Sequence, residues 1–230
     1  MNSLTDETDG SPTLFLFPRW AIFGAVARYI GCVSNGFVVR HYNKHHLTMK
    51  ELAMHVYDLM ENSTAAGAKD VKLTIVDSLK NNDFHFTIED NGKGMSPEFL
   101  ARVTDPYTTS RTTRKVGLGL PLIKMNTEKC GGGMKLTSEV GVGTRLEFWF
   151  EHNNWDRPPM GDLPGTLVML LSAHEDIHFV ATYRTDESEF VLDTDELKEA
   201  LDGMSMNDIH IIGYLKEMIA ENLKEIHANE

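Results

Sequence analysis

Asp90-Asn91-Gly92-Lys93-Gly94-Met95 is the stretch on which the reading of this chain turns. It follows Phe84, Phe86 and Ile88, which alternate with polar residues in the period of a strand. A carboxylate at a strand end can accept a hydrogen bond from an exocyclic amine such as that of adenine. The glycines let the backbone turn tightly and approach a flat ring closely. The same hexapeptide is equally an ordinary Asp-Asn-Gly turn, so its surroundings must arbitrate.

Upstream, Lys50 to Ala66 reads as a helix with Leu52, Val56, Leu59, Met60 and Ser63 on one side, and Gly67 lies where it stops. Asp58 and Asn62 lie four residues apart on one face, with His55 a turn earlier. An Asn carboxamide oxygen can ligand a hard cation such as Mg2+, which in turn binds phosphate oxygens. A carboxylate one turn away can orient or deprotonate a hydroxyl or water attacking a phosphate. Taken alone, such a pair also fits a solvated helix face. Val71, Leu73 and Ile75 alternate as a strand, and Asn81-Asn82-Asp83 turns into the strand before Asp90.

Downstream, Asp90 to Lys115 reads as a loop that ends in Thr108-Thr109-Ser110-Arg111-Thr112-Thr113-Arg114-Lys115. Gly117-Leu118-Gly119-Leu120 then opens a helix that Gly131-Gly132-Gly133 ends. Glycines at a helix start expose backbone N–H groups at the positive end of the dipole, and the basic, hydroxyl-rich run suits the same anion. A solvated loop fits that run as well. No GxxxxGK[ST] loop occurs. Met134 to Ser138 and Thr144 to Phe150 read as strands around Gly141-Val142-Gly143.

The flanks differ in character. Residues 1–48 hold four basic and three acidic side chains and no clean period. They read either as a poorly ordered extension or as extra translated sequence ahead of a natural start at Met49. After Asp156-Arg157-Pro158-Pro159, strand-like runs are expected at Thr166–Leu171, His178–Tyr183 and Glu189–Leu192. Asp193, with Glu196 as capping-box partner, is expected to start a short helix through Leu201, and a last helix runs from about Asn207 to Ile226. The expected division is 1–48, 49–152 and 153–230.

Composition narrows the classes. The 230 residues are 41% apolar and 24% charged with a net charge of −12, which fits a folded globular protein and argues against non-specific nucleic-acid binding. Cys32 and Cys130 are too few for a disulfide framework, and no His pairs with a Cys at zinc-like spacing. Pro18, Arg19 and Arg28 interrupt the most apolar region, Leu14 to Val39, leaving no run of the ~18–20 residues a membrane span needs. Asp6, Glu7 and Asp9 stand where a signal peptide is basic. No membrane insertion and a cytoplasmic location are expected. Trp149, Trp155 and Cys130 read as packing residues.

In order, these pieces resemble the GHKL ATP-binding superfamily, which holds histidine kinases, gyrase-type topoisomerases, mismatch-repair ATPases and heat-shock chaperones. Asp58-Leu59-Met60-Glu61-Asn62-Ser63 with Ala66-Gly67-Ala68 looks like its N box, and Asp90 to Met95 like its G1 box. Asp105-Pro106-Tyr107-Thr108-Thr109 looks like its F box, Gly117 to Leu120 like its G2 box, and Gly141-Val142-Gly143-Thr144 like its terminal small-residue turn. The resemblance covers residues 49–150. It implies an α/β (α+β) two-layer sandwich, a mixed β-sheet with helices on one face in the Bergerat-type ATP-binding fold. A small C-terminal α+β module would follow.

The resemblance also implies roles. Asn62 would hold Mg2+, Asp90 would recognise adenine, and Gly92, Gly94 and Met95 would lie against the nucleotide. Thr108, Thr109, Arg111, Arg114 and Lys115 would belong to a lid from about Thr104 to Lys115. Gly117, Leu118, Gly119 and Leu120 would meet the phosphates, with Thr144 completing the ATP site. Asp58 occupies the place of a Glu base, one methylene shorter. Residues 1–48 offer no phosphoacceptor hairpin of the sensor-kinase kind, since they lack heptads and His41, His45 and His46 lie in a polar run. In the Asp105–Leu120 stretch and the Asp156-Arg157-Pro158-Pro159 tail entry, the chain resembles short stand-alone kinase-like ATP-binding proteins of anaerobic bacteria. The implied activity is Mg-ATP binding with phosphate transfer to a partner protein, or alternatively a nucleotide-dependent switch or slow ATPase. ATP, a partner protein and a homodimer are the associations this allows, without nucleic acid.

Overall fold

The computed structural model describes residues 13–15, 51–104 and 119–228. Seven strands form one sheet in the order β1-β7-β6-β2-β3-β5-β4. Their ranges are β1 Thr13–Phe15, β2 Asp70–Ser78, β3 Asp83–Asp90, β4 Gly133–Glu139, β5 Gly143–Glu151, β6 His178–Thr185 and β7 Ser188–Asp193. β2 pairs parallel with β6 and β1 parallel with β7, and the remaining pairs are antiparallel, so the sheet is mixed.

The alternation read in the sequence becomes one buried face. Val71, Leu73, Ile75, Phe84, Phe86, Ile88, Leu146, Phe148 and Phe150 point into the core, and Phe179, Tyr183, Phe190 and Leu192 extend it across β6 and β7. Phe86 and Phe148 stack with ring centroids 4.7 Å apart. The helices supply the other half of that core. They are α1 Leu52–Ala65, α2 Pro97–Leu100, α3 Gly119–Lys129, α4 Leu163–Ala173, α5 Thr194–Leu201 and α6 Ile209–Glu225. α1 packs between α3 and α4, and α4 packs on α6.

The C-terminal α+β residues join the same layers. β6 runs beside β2 for eight residues, Asp70–Asp77 against His178–Thr185. Buried Asp77 accepts a hydrogen bond from the Tyr183 hydroxyl at 2.7 Å and lies 2.8 Å from His152 Nε2. α1 has no side-chain cap; its Leu52 and Ala53 N–H groups donate instead to the carbonyls of Pro159 and Met160.

Three local expectations are corrected. Thr166–Leu171 lies inside helix α4, not in a strand. A short apolar run has no decisive period, and here Asp162 caps the helix by accepting from Gly165 N–H, with Pro164 in the first turn. The loop after Asp90 contains the one-turn helix α2, capped by Ser96 with Pro97 at its start. The packing role expected of Trp155 is corrected too, since it is fully exposed, whereas Trp149 stacks on His85. Among the described residues no helix is long and apolar enough to cross a membrane.

Candidate functional site

Asp90 ends β3 and faces Ser63 near the end of α1. Ser63 Oγ donates to Asp90 Oδ2 at 2.7 Å, and Gly92 N–H donates to Asp90 Oδ1 at 2.9 Å. Both carboxylate oxygens are thereby oriented. The following loop is fastened on two sides. Lys93 N–H donates to Ala66 O at 3.0 Å, and Gly141 N–H donates to Lys93 O at 2.9 Å. The 90–95 loop is therefore held between the end of α1 and the β4–β5 turn.

The glycines are there because the approach is close. A Cβ on Gly92 would lie 2.9 Å from Ala66 Cβ. Gly94 has φ +65°, and a Cβ there would lie 1.9 Å from Glu139 O. Thr144 pairs with Asp90 across β3 and β5. Ser138 Oγ, 3.0 Å from Thr144 Oγ1, donates to Gly143 O and accepts from Met95 N–H at 2.9 Å. Thus Met95 and Thr144 are drawn to the same hydroxyl.

Gly119, the first residue of α3, meets α1 at Asp58: a Cβ on Gly119 would lie 2.5 Å from Asp58 Oδ2. Leu120 packs against the core. Asn62 is exposed on α1, one turn beyond Asp58. Asp90, Gly92, Gly94, Met95 and Thr144 thus gather by the end of α1, which carries Asn62, and Asp58 on the same helix meets Gly119, the residue before Leu120. Thr108, Thr109, Arg111, Arg114, Lys115, Gly117 and Leu118 lie outside the described residues.

Three contributors escaped the sequence reading as site residues. Ser63 stands in the N-box stretch and on the apolar side of α1 but carries no role of its own in the sequence reading; a hydroxyl on a buried stripe that must find a partner is the signal. Ser138 lay inside a strand with no pattern to single it out. His55 is fully buried with Nε2 3.4 Å from Asn126 Nδ2, a contact between α1 and α3 behind Asp58. Cys130 is buried at the end of α3, and burial pushes its thiol pKa up, which disfavours the reactive thiolate.

Residues 49–154 match the family described as histidine kinase-, DNA gyrase B- and HSP90-like ATPases. The chain carries a GHKL-superfamily ATP-binding domain over that stretch, of the kind found in histidine kinases. It is 29% identical over 106 residues to the sensor kinase CckA of Brucella abortus, covering 40% of this chain and 11% of that protein. It is 31% identical over 75 residues to the sensor histidine kinase ZraS of Escherichia coli O157:H7, covering 33% of this chain and 16% of that protein. The matched stretch is thus under a fifth of the length of either relative. Among solved structures, the Aquifex aeolicus MutL ATPase domain complexed with ADP aligns at 18% identity over 65% of this chain and 68% of that chain, with a TM-score of 0.37.

Proposed function

We propose that the protein binds Mg-ATP where α1, the 90–95 loop and α3 meet, and transfers the γ-phosphoryl group to a partner protein. The observation that carries this reading is Asp90. Its carboxylate is fixed by Ser63 and Gly92 N–H at the mouth of a loop whose glycines admit no side chain. Such an oriented acceptor suits the exocyclic amine of adenine and not the carbonyl that guanine presents there.

The residue types on α1 suit the metal. Asn62 offers a hard amide oxygen one turn from the Asp58 carboxylate, the donor type Mg2+ takes. Bound Mg2+ would neutralise charge on the phosphate chain. Asp58, beside the start of α3, would accept the proton of the attacking group. The γ-phosphorus would then bond to the acceptor atom as its bond to the β,γ-bridging oxygen breaks, leaving ADP.

One observation favours a second reading, a nucleotide-dependent switch. β6 lies directly beside β2 and α4 packs on α1, so the C-terminal residues abut the helix that bears Asp58 and Asn62. Calorimetry with an ATP analogue tests the site: Asp90→Asn should lose about 10- to 150-fold in affinity, and GTP should bind poorly. Unchanged affinity in Asp90→Asn would overturn the adenine assignment. With ATP labelled at the γ-phosphate, label on a second protein supports transfer. Release of free phosphate alone, or none, supports the switch.

A further inference from the structure

His178 opens β6 directly across from Asp70, the first residue of β2. Its Nδ1 lies 3.1 Å from Asp70 Oδ1, and its Nε2 lies 3.1 Å from Asp193 Oδ1 at the end of β7. Asp195 on α5 brings Oδ2 within 3.9 Å of the same Nε2. The charges around the ring are these three carboxylates. Lys198 pairs with Asp195 at 3.3 Å, and Lys69 pairs with Asp176 at 2.6 Å. Glu175, in the turn before β6, is held by Ser205 and Asn207 N–H.

A neutral imidazole has one N–H, and two carboxylates on its two nitrogens require two donors. The observed arrangement is therefore that of an imidazolium. Loss of the proton leaves a lone pair facing a carboxylate, and one of the two contacts must open.

Each contact leads somewhere. Asp70 Oδ2 accepts from Asn91 Nδ2 at 2.5 Å, and Asn91 Oδ1 accepts from the N–H groups of Lys69 and Asp70 at 2.8 and 2.9 Å. Asn91 is the residue after Asp90. On the other side, Asp193 Oδ1 also accepts from Asp195 N–H and so caps α5. A continuous set of polar contacts runs from the loop at Asp90 to the start of α5, with His178 at its middle.

We propose that the proton on His178 clamps the nucleotide loop to helix α5, so that nucleotide affinity is set by pH through this ring. The nucleotide half of this inference rests on the ATP reading of Asp90 given above. Burial, the largest influence on the ring, lowers its pKa, but the hydrogen bonds to Asp70 and Asp193 and the charges of Asp193 and Asp195 together outweigh it and raise the value. The folded value lies above the ordinary one of about 6.5. Stability from the clamp is therefore complete below about pH 6.5 and is lost as pH rises through the raised folded value.

The test is made on the full chain and on His178→Gln, which keeps a donor nitrogen on one side only and cannot be protonated in this range. Thermal midpoints and affinity for a non-hydrolysable ATP analogue are measured from below the ordinary histidine value to well above it. Histidine ring signals are followed by NMR, His178 being assigned by its loss in the variant. The wild type should lose stability across the window and bind the analogue about fivefold or more weakly at high pH, the low end of ordinary coupling between sites. His178→Gln should show neither change. Parallel pH profiles in the two proteins, or a His178 titration at or below the ordinary value, would overturn the clamp. Should His178→Gln fail to fold, the wild type and Asp195→Asn are compared instead: one histidine ring that titrates above the ordinary value must move down in Asp195→Asn, and no movement of any histidine there is likewise fatal. If neither protein binds the analogue at any pH, the ATP reading falls, while the stability difference still judges the clamp.

Discussion

Ser63 Oγ lies 2.7 Å from Asp90 Oδ2 and donates to it, tying the last turns of α1 to the end of β3 across 27 residues of sequence. Ser63 is 4% exposed, so water competes little for this bond. The other carboxylate oxygen is held by Gly92 N–H. The acceptor proposed to read the base is thus aimed by the same helix that carries Asp58 and Asn62.

Ser63→Ala should therefore weaken a ligand it does not touch. It removes a hydrogen bond to a charged group, a loss of roughly 1.5–3 kcal/mol where the partner stays buried. Asp90 is only partly buried, so the lower end applies, and affinity for an ATP analogue should fall about tenfold with a lower melting temperature. Calorimetry and thermal unfolding check both. Full affinity in Ser63→Ala would show that Gly92 N–H alone orients Asp90.

Much of this was legible in the sequence because it rests on local periods. The alternation at Phe84, Phe86 and Ile88 and the helical stripe from Leu52 to Ser63 placed Asp90, Asp58 and Asn62 on the right elements. Glycines that need a positive φ or a close approach, Gly94 above all, marked the loop. The rest depends on long-range pairing, which has no local trace. Nothing in His178–Thr185 announces that it runs parallel beside β2, and Thr166–Leu171 is apolar on almost every face, so only the Asp162 cap tells helix from strand. Ser63, Ser138 and Asn91 bond to partners tens of residues away or across a turn, and a polar side chain in sequence does not name its partner.

Gly94 and Gly67 make a controlled pair. Both have positive φ, at +65° and +78°. A Cβ on Gly67 meets nothing within 4 Å, whereas one on Gly94 would meet Glu139 O at 1.9 Å. Gly67→Ala should cost only the left-handed strain of about 1–2 kcal/mol. Gly94→Ala should cost clearly more, because backbone of the β4–β5 turn must move. Urea titrations compare the two, and equal costs would mean that the turn yields freely.

Asn62→Ala should separate metal from fold. Asn62 is exposed in the last turn of α1, and Ala is the better helix former, so the circular dichroism spectrum should hold. Mg2+ should then tighten ATP binding less than it does in the wild type. If Mg2+ tightens binding equally in both proteins, the cation's ligand is another residue.

Asp162 should couple acid stability to the helix that packs on α1. Its side chain accepts from Gly165 N–H at 2.9 Å and from Lys216 Nζ at 2.6 Å, which joins the start of α4 to α6. Burial is the largest influence and pushes its carboxyl pKa up, but the Lys216 and Gly165 hydrogen bonds outweigh burial and hold it below the ordinary value. A depressed folded value means that the carboxylate stabilises the fold above the unfolded value, about 3.9, and that this is lost as pH falls through the folded value. Asp162→Asn keeps an oxygen for the cap but has no proton to take up, so it should be less stable than wild type at neutral pH and converge with it in acid. Asp162→Ala loses the cap as well and should fall about 1 kcal/mol further at every pH. Denaturant midpoints from pH 3 to pH 7 decide the matter: if Asp162→Asn and the wild type keep a constant separation over that range, the Lys216 pair contributes nothing to the acid response and the cap alone fixes α4.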